Sequence, residues 1–167
     1  MSHNLVSIVM GSQSDWPLMQ EASKILDQLS IPHEARALSA HRTPDALFEY
    51  LKDAEARGIK IFIAGAGGAA HLPGVIAAKT LLPVLGVPIP SSTFTNGLDA
   101  LLSIVQMPAG IPVGTLAVGK PGAINAAMLA ASMLGLKDPH YHEQIKKYRA
   151  LKEQQILETQ VLETVKG

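Results

Sequence analysis

The chain has 167 residues, 47% of them hydrophobic and 17% charged, enough for one domain with a full core and too apolar for a disordered chain. Fourteen basic residues offset fourteen acidic ones without a basic run, so neither nucleic acid nor a membrane surface is an expected partner. The absence of cysteine excludes disulfides, thiol nucleophiles and thiolate metal sites.

The opening MSHNLVSIVMGSQSD lacks a basic segment leading into a long apolar one, and no apolar run approaches the roughly 20 residues that span a bilayer. A cytoplasmic protein is the expectation. Leu5 to Met10 reads as a strand ended by Gly11-Ser12, and Ser14 precedes a helix carrying Leu18, Ala22, Ile25, Leu26 and Leu29 at helical spacing. Glu34 to Leu38 is a weaker second strand. Ser39 to Arg42 follows, and Thr43-Pro44 then supplies a hydroxyl at the N-cap with proline at the first helical position. Leu47, Leu51 and Ala54 form the buried stripe of that helix, and Gly58 ends it. IKIFIA is a third strand running into GAGGAAHLPG. A short helix (Val75 to Thr80), a strand (Pro83 to Val87), a helix (Leu98 to Val105), a strand (Val113 to Val118) and a helix (Ala123 to Leu134) complete the series.

Five strands alternating with helices require crossover connections and hence a parallel sheet covered on both faces: an α/β fold, flavodoxin-like or Rossmann-like. In such sheets the ligand lies beyond the carboxyl ends of the strands, where strand order reverses. For a 2-1-3-4-5 order the reversal falls between the first and third strands. The loops meeting there begin at Gly11, Ser39 and Gly65, the three most distinctive segments of the chain. From Asp138 a further helix carries Ile145, Tyr148, Leu151, Ile156, Leu162 and Val165 among charges. It packs either on a neighbouring subunit, which would make the protein an oligomer, or back on its own sheet. The first is the expectation, with 1–137 as one domain and 138–167 as an interface helix.

Two motifs are decoys. GAGGAAHLPG resembles a dinucleotide fingerprint, but no Asp or Glu occurs between Glu55 and Asp99 to hold a ribose. The loop is left as a ligand cradle of small residues or a mere tight turn. GTLAVGK, Gly114 to Lys120, has phosphate-loop spacing, yet Pro121 stands where the magnesium-binding hydroxyl is required. In GSQSD, Ser14 alone suffices as a helix cap, which leaves the other hydroxyl and Asp15 to meet a phosphate or a ribose. His41 and Arg42 lie side by side at the expected ligand end of the sheet. Arginine there suits a phosphate, and histidine suits proton transfer. His71 in the glycine loop could face the same pocket, while His3, His33, His140 and His142 are assigned to the surface. Zinc could sit on two histidines and a carboxylate, but local Asp and Glu are lacking and no metal is expected.

MGSQSDW, SAHRTPD, AGAGGAAHLPG, VLGVP and SIVQMPAGIPVGTLAVGKPGAINAA, in this order, closely resemble the 5-(carboxyamino)imidazole ribonucleotide mutase family of de novo purine biosynthesis, also called the catalytic subunit of phosphoribosylaminoimidazole carboxylase. The likeness runs from about Val6 to Leu134. It implies a flavodoxin-like three-layer fold and an isomerase that moves a carboxylate from the exocyclic nitrogen of an aminoimidazole ribonucleotide to ring carbon 4, without metal, nucleotide or organic cofactor. It implies His41 as the acid/base. Ser12, Asp15 and Arg42 would bind ribose and phosphate, with Ser14, Ser39 and Ala40 beside them, and the loop of Gly67, Gly68, Ala69, His71 and Leu72 would close over the base. It further implies small apolar walls (Ala66, Ala69, Ala70) around released carbon dioxide, a homo-octamer, and hand-over of substrate from an ATP-dependent carboxylase. The GAGGAAHLPG stretch looks like the mutase type, not the relatives that use free carbon dioxide. Ala109 in QMPAGIPVG departs from relatives with arginine there. A flavodoxin-like module that binds a flavin or nucleotide without catalysis is the reading from a different class.

Overall fold

A computed structural model describes residues 4–91 and 95–161. The elements in order are β1 (Val6–Met10), α1 (Trp16–Gln28), β2 (His33–Ala37), α2 (Pro44–Arg57), β3 (Ile61–Gly67), α3 (Leu72–Ala77), β4 (Val84–Ile89), α4 (Leu98–Val105), β5 (Gly114–Thr115), α5 (Lys120–Gly135) and α6 (Pro139–Glu158). All strands pair in parallel in the order β2-β1-β3-β4-β5. The expected α/β sheet is thus present, with its reversal between β1 and β3.

Strand alternation divides the core into two layers. Val6, Ile8 and Met10 of β1, with Ile61 and Ile63 of β3, face α1 and α5. Val9, Phe62 and Ala64 point the other way, against Leu47 and Leu51 of α2, Ile76 of α3 and Ile104 of α4. With few aromatics available, α5 buries five alanines completely (Ala123, Ala126, Ala127, Ala130 and Ala131), and their short side chains let it lie close on α1. Ser7, the one buried polar residue among the described residues, bonds the Tyr50 hydroxyl, which donates to Glu34 Oε1 at 2.7 Å. Glu34 also accepts a bidentate pair of bonds from Arg57, at 3.0 and 2.7 Å. These bonds hold its carboxyl down to about 2 despite partial burial, and burial first of all pushes the Tyr50 hydroxyl up to about 12.

Several boundaries differ from the sequence reading. Only Gly114 and Thr115 pair on β4, against the expected Val113 to Val118. Pro88 in β4 has no N–H to extend the ladder, and its carbonyl instead accepts from Gly119 N. The third helix starts at Leu72, with Pro73 in its first turn, and stops at Ala77. Gly58, at φ 105°, ends α2 as expected. His33 is not a surface residue: its ring bonds Ser23 Oγ at 2.7 Å and the Ile31 carbonyl at 2.9 Å, and its side chain is only 11% exposed. His140 and His142 are exposed, and His3 lies outside the described residues.

The last helix packs back on its own domain over its first half and leaves its second half exposed. Tyr141, Ile145 and Tyr148 pack back on the α1/α5 layer, whereas Leu151, Ile156, Leu157 and Val161 stand exposed. Leu162 and Val165 lie outside the described residues.

Candidate active site

The three loops that leave β1, β2 and β3 at their carboxyl ends enclose a cleft of about 390 Å³. Gly11, Ser12 and Asp15 come from the first loop, and Ser39, Ala40, His41 and Arg42 from the second. Ala66, Gly67, Ala69 and Leu72 come from the third. The register places them side by side, since Met10 pairs with Ala37 on one flank and with Gly65 on the other.

The first loop is a single turn of 3-10 helix (Gln13–Asp15). Its cap is Ser12, not the expected Ser14: Ser12 Oγ accepts from Ser14 N at 3.2 Å and from Ser14 Oγ at 3.0 Å. Ser12 N in turn donates to Asp15 Oδ2 at 3.1 Å, which leaves Asp15 Oδ1 for a ligand. Burial raises the Asp15 carboxyl above its ordinary value, against the opposing pull of the Ser12 N–H and the Arg42 charge.

The second loop is tied by its own polar atoms. Thr43 does not cap α2 with its hydroxyl as expected; Thr43 Oγ1 accepts from Ser39 N at 2.9 Å and donates to the Ser39 carbonyl at 3.1 Å. Its carbonyl accepts from Leu47 N and so starts the helix that Pro44 favours. Ser39 Oγ accepts from Arg42 N at 3.1 Å, and an Arg42 terminal nitrogen donates to the Gly11 carbonyl at 3.0 Å. This last bond crosses the cleft between two loops and keeps the guanidinium at its edge.

In the third loop Gly67 and Gly68 let the backbone turn sharply. A side chain on Gly67 would stand 3.1 Å from the Ile89 carbonyl, and Gly68 has φ +60°. Beyond the turn comes His71, whose Nδ1 lies 2.8 Å from His41 Nε2, with the rings edge to face at 4.9 Å between centroids. Both histidines are exposed.

Nine of the residues anticipated for the site therefore border the cleft: Ser12, Asp15, Ser39, Ala40, His41, Arg42, Gly67, Ala69 and Leu72. Ser14, Gly68 and His71 do not border it; Ser14 bonds Ser12, Gly68 makes the turn, and His71 reaches the cleft only through His41. Gly11 contributes a wall and a carbonyl that no side-chain pattern could announce, although its place directly after a strand marks where the loop begins.

The fold and cleft define a doubly wound α/β protein with a small cleft at its switch point, lined by one cation, one carboxylate and one imidazole with small apolar walls. This chain belongs to the AIR carboxylase family, whose model matches residues 5–155. N5-carboxyaminoimidazole ribonucleotide mutase of Pseudomonas aeruginosa is 59% identical over 154 residues, covering 92% of this chain and 94% of the relative. The protein of the same name from Bacillus subtilis is 55% identical over 155 residues, 93% and 95% of the two chains. Among solved structures, Treponema denticola PurE superposes with a TM-score of 0.84 at 30% identity, covering 93% of this chain and 95% of that one.

Proposed function

We propose that this chain is an isomerase of de novo purine biosynthesis, an N5-carboxyaminoimidazole ribonucleotide mutase that moves the carboxylate of its substrate from the exocyclic nitrogen to carbon 4 of the imidazole. The observation that carries this reading is the meeting of Arg42, Asp15 and His41 on one cleft in a chain 59% identical to an enzyme of that name. A ribonucleotide monophosphate has three parts, and the cleft offers a partner for each. Arg42 and Ser12 take the phosphate, Asp15 Oδ1 takes a ribose hydroxyl, and His41 faces the base.

The reaction proceeds by loss of carbon dioxide from the exocyclic nitrogen, its retention, and attack on it by carbon 4. His41 gives a proton to the departing nitrogen and removes the one left on carbon 4, so a single imidazole serves both steps. Ala66, which is buried, and Ala69 border the cleft and supply a small apolar wall against which carbon dioxide is held. The residues 1–137 act as the catalytic domain, in the cytoplasm and without a cofactor. The exposed Leu151, Ile156 and Leu157 support the reading that 138–167 joins copies of the chain into an oligomer, in this family an octamer. An ATP-dependent carboxylase would supply the labile substrate.

Purified protein is tested with the carboxyamino substrate and, separately, with aminoimidazole ribonucleotide plus bicarbonate, following product absorbance in the ultraviolet. Conversion of the first without bicarbonate is the expected result. Turnover of the second alone would make the protein a direct carboxylase, and a flavin or nucleotide carried through purification without turnover would make it a binding module.

A further inference from the structure

QMPAGIPV, the segment between α4 and β5, borders no part of the cleft, yet it presses on the helix that ends one wall of it. Leu72 is both the last residue of the third loop to border the cleft and the first residue of α3. Whatever fixes the first turn of α3 therefore fixes that wall. Two close approaches do so. A side chain on Gly74 would stand 2.9 Å from Met107 Sδ and 3.2 Å from Met107 Cε, so the thioether fills the space where a Cβ would be. At Gly86 of β4 a side chain would stand 2.9 Å from Val113 Cγ1 and 3.5 Å from Pro73 Cβ, which brings the far end of the segment to the same helical turn. Glycine inside a helix is disfavoured on propensity alone, and the sulfur seated on Gly74 accounts for its place there. Met107 is in turn carried by the end of α4: its N–H donates to the Val105 carbonyl at 2.9 Å, and Gln106 N to the Leu102 carbonyl at 3.2 Å.

We propose that Met107 is a positioning residue of the reaction: seated on the bare Cα of Gly74, its thioether holds the first turn of α3 and keeps Leu72 and Ala69 against the released carbon dioxide. The inference rests on the mutase reading. The phosphate and ribose partners lie on the first and second loops, so loosening α3 leaves nucleotide binding in place. What it loosens is the apolar wall. Carbon dioxide then leaves the cleft before carbon 4 attacks it, and aminoimidazole ribonucleotide, protonated on its exocyclic nitrogen, is left behind. The met thioether suits this task because it is long enough to reach across from α4 and pliant enough to fill an irregular gap.

The test uses substrate whose migrating carboxylate carries a radioactive carbon, in unlabelled bicarbonate, with decay in the absence of enzyme subtracted. Wild-type protein should return nearly all of the consumed label in the ring carboxylate. Met107→Ala should lower kcat roughly 10- to 100-fold with KM within about threefold, and should lose a large part of the label to bicarbonate. Gly74→Ala, whose added methyl displaces the sulfur, should do the same. The double variant should be no worse than the poorer single one, since both changes remove one contact. Met107→Leu, close to methionine in volume, should stay within about threefold of wild type. The share of label retained per turnover does not depend on how much of a variant is folded. Wild-type values in Met107→Ala, a lower kcat with label retention unchanged, or additive losses in the double variant would each overturn this inference alone. A wild-type protein that fails to convert the carboxyamino substrate overturns the mutase reading and this inference together.

Discussion

The proposed function gives Arg42 and His41, neighbours in sequence, separable tasks. The Arg42 guanidinium is held by the Gly11 carbonyl and Ser39, at the edge of the cleft where a phosphate can reach it. Arg42→Ala should therefore weaken binding of the nucleotide by about 1.5–3 kcal/mol, the worth of a hydrogen bond to a charged group, seen as a Kd raised roughly 10- to 150-fold by calorimetry. On the proposed mechanism, His41→Asn removes the proton carrier but no phosphate contact. Turnover should disappear while Kd stays within about tenfold, and full activity in this variant would end the mechanism.

At the scale of elements, α2 and β2 are clasped by the Arg57, Glu34 and Tyr50 bonds, well away from the cleft. The folded Glu34 carboxyl lies at about 2, below its ordinary 4.5. A depressed carboxylate stabilises the fold fully above the unfolded value and loses that stability as pH falls through the folded one. Urea unfolding should accordingly show about 2–3 kcal/mol lost between pH 4.5 and 2 that Glu34→Gln does not lose, solvent access to Arg57 trimming the full linkage value. A parallel fall in both proteins would show that other carboxyls dominate. The α1/α5 contact makes a different demand. Ala127 has no exposed surface, so Ala127→Leu should cost at least about 1–3 kcal/mol by overpacking, lowering the urea midpoint.

For the whole molecule, one exposed apolar surface is the outer half of α6. Its inner half closes the α1/α5 core through Ile145, but Ile156 and Leu157 remain 68% and 53% exposed. On the proposed assembly reading, a carboxylate placed there opposes association and leaves the core alone. Ile156→Asp should shift sedimentation toward smaller species with an unchanged far-ultraviolet circular dichroism spectrum, and an unaltered sedimentation profile would remove α6 from the assembly reading.

Much of this protein was legible in its residues because the signals are local. Apolar runs, helical spacing, Pro44 and Gly58 mark elements one turn at a time, and the alternation of strands and helices then requires a parallel sheet with a site beyond β1 and β3. The same locality explains the misreadings. Ser12 and Ser14 are equally good caps on paper, and the path of the turn chose Ser12. Nothing near His33 announced that Ser23, ten residues earlier, would bury its ring. The amphipathic pattern of α6 does not say where its apolar side ends against α5 and where it meets solvent. Likewise His41 and His71 are only two histidines in loops until the register of β1 between β2 and β3 brings their nitrogens within a hydrogen bond. The location of the cleft was written in the sequence, whereas the pairing of groups far apart in the chain was decided by the tertiary structure, because only packed strands fix such distances.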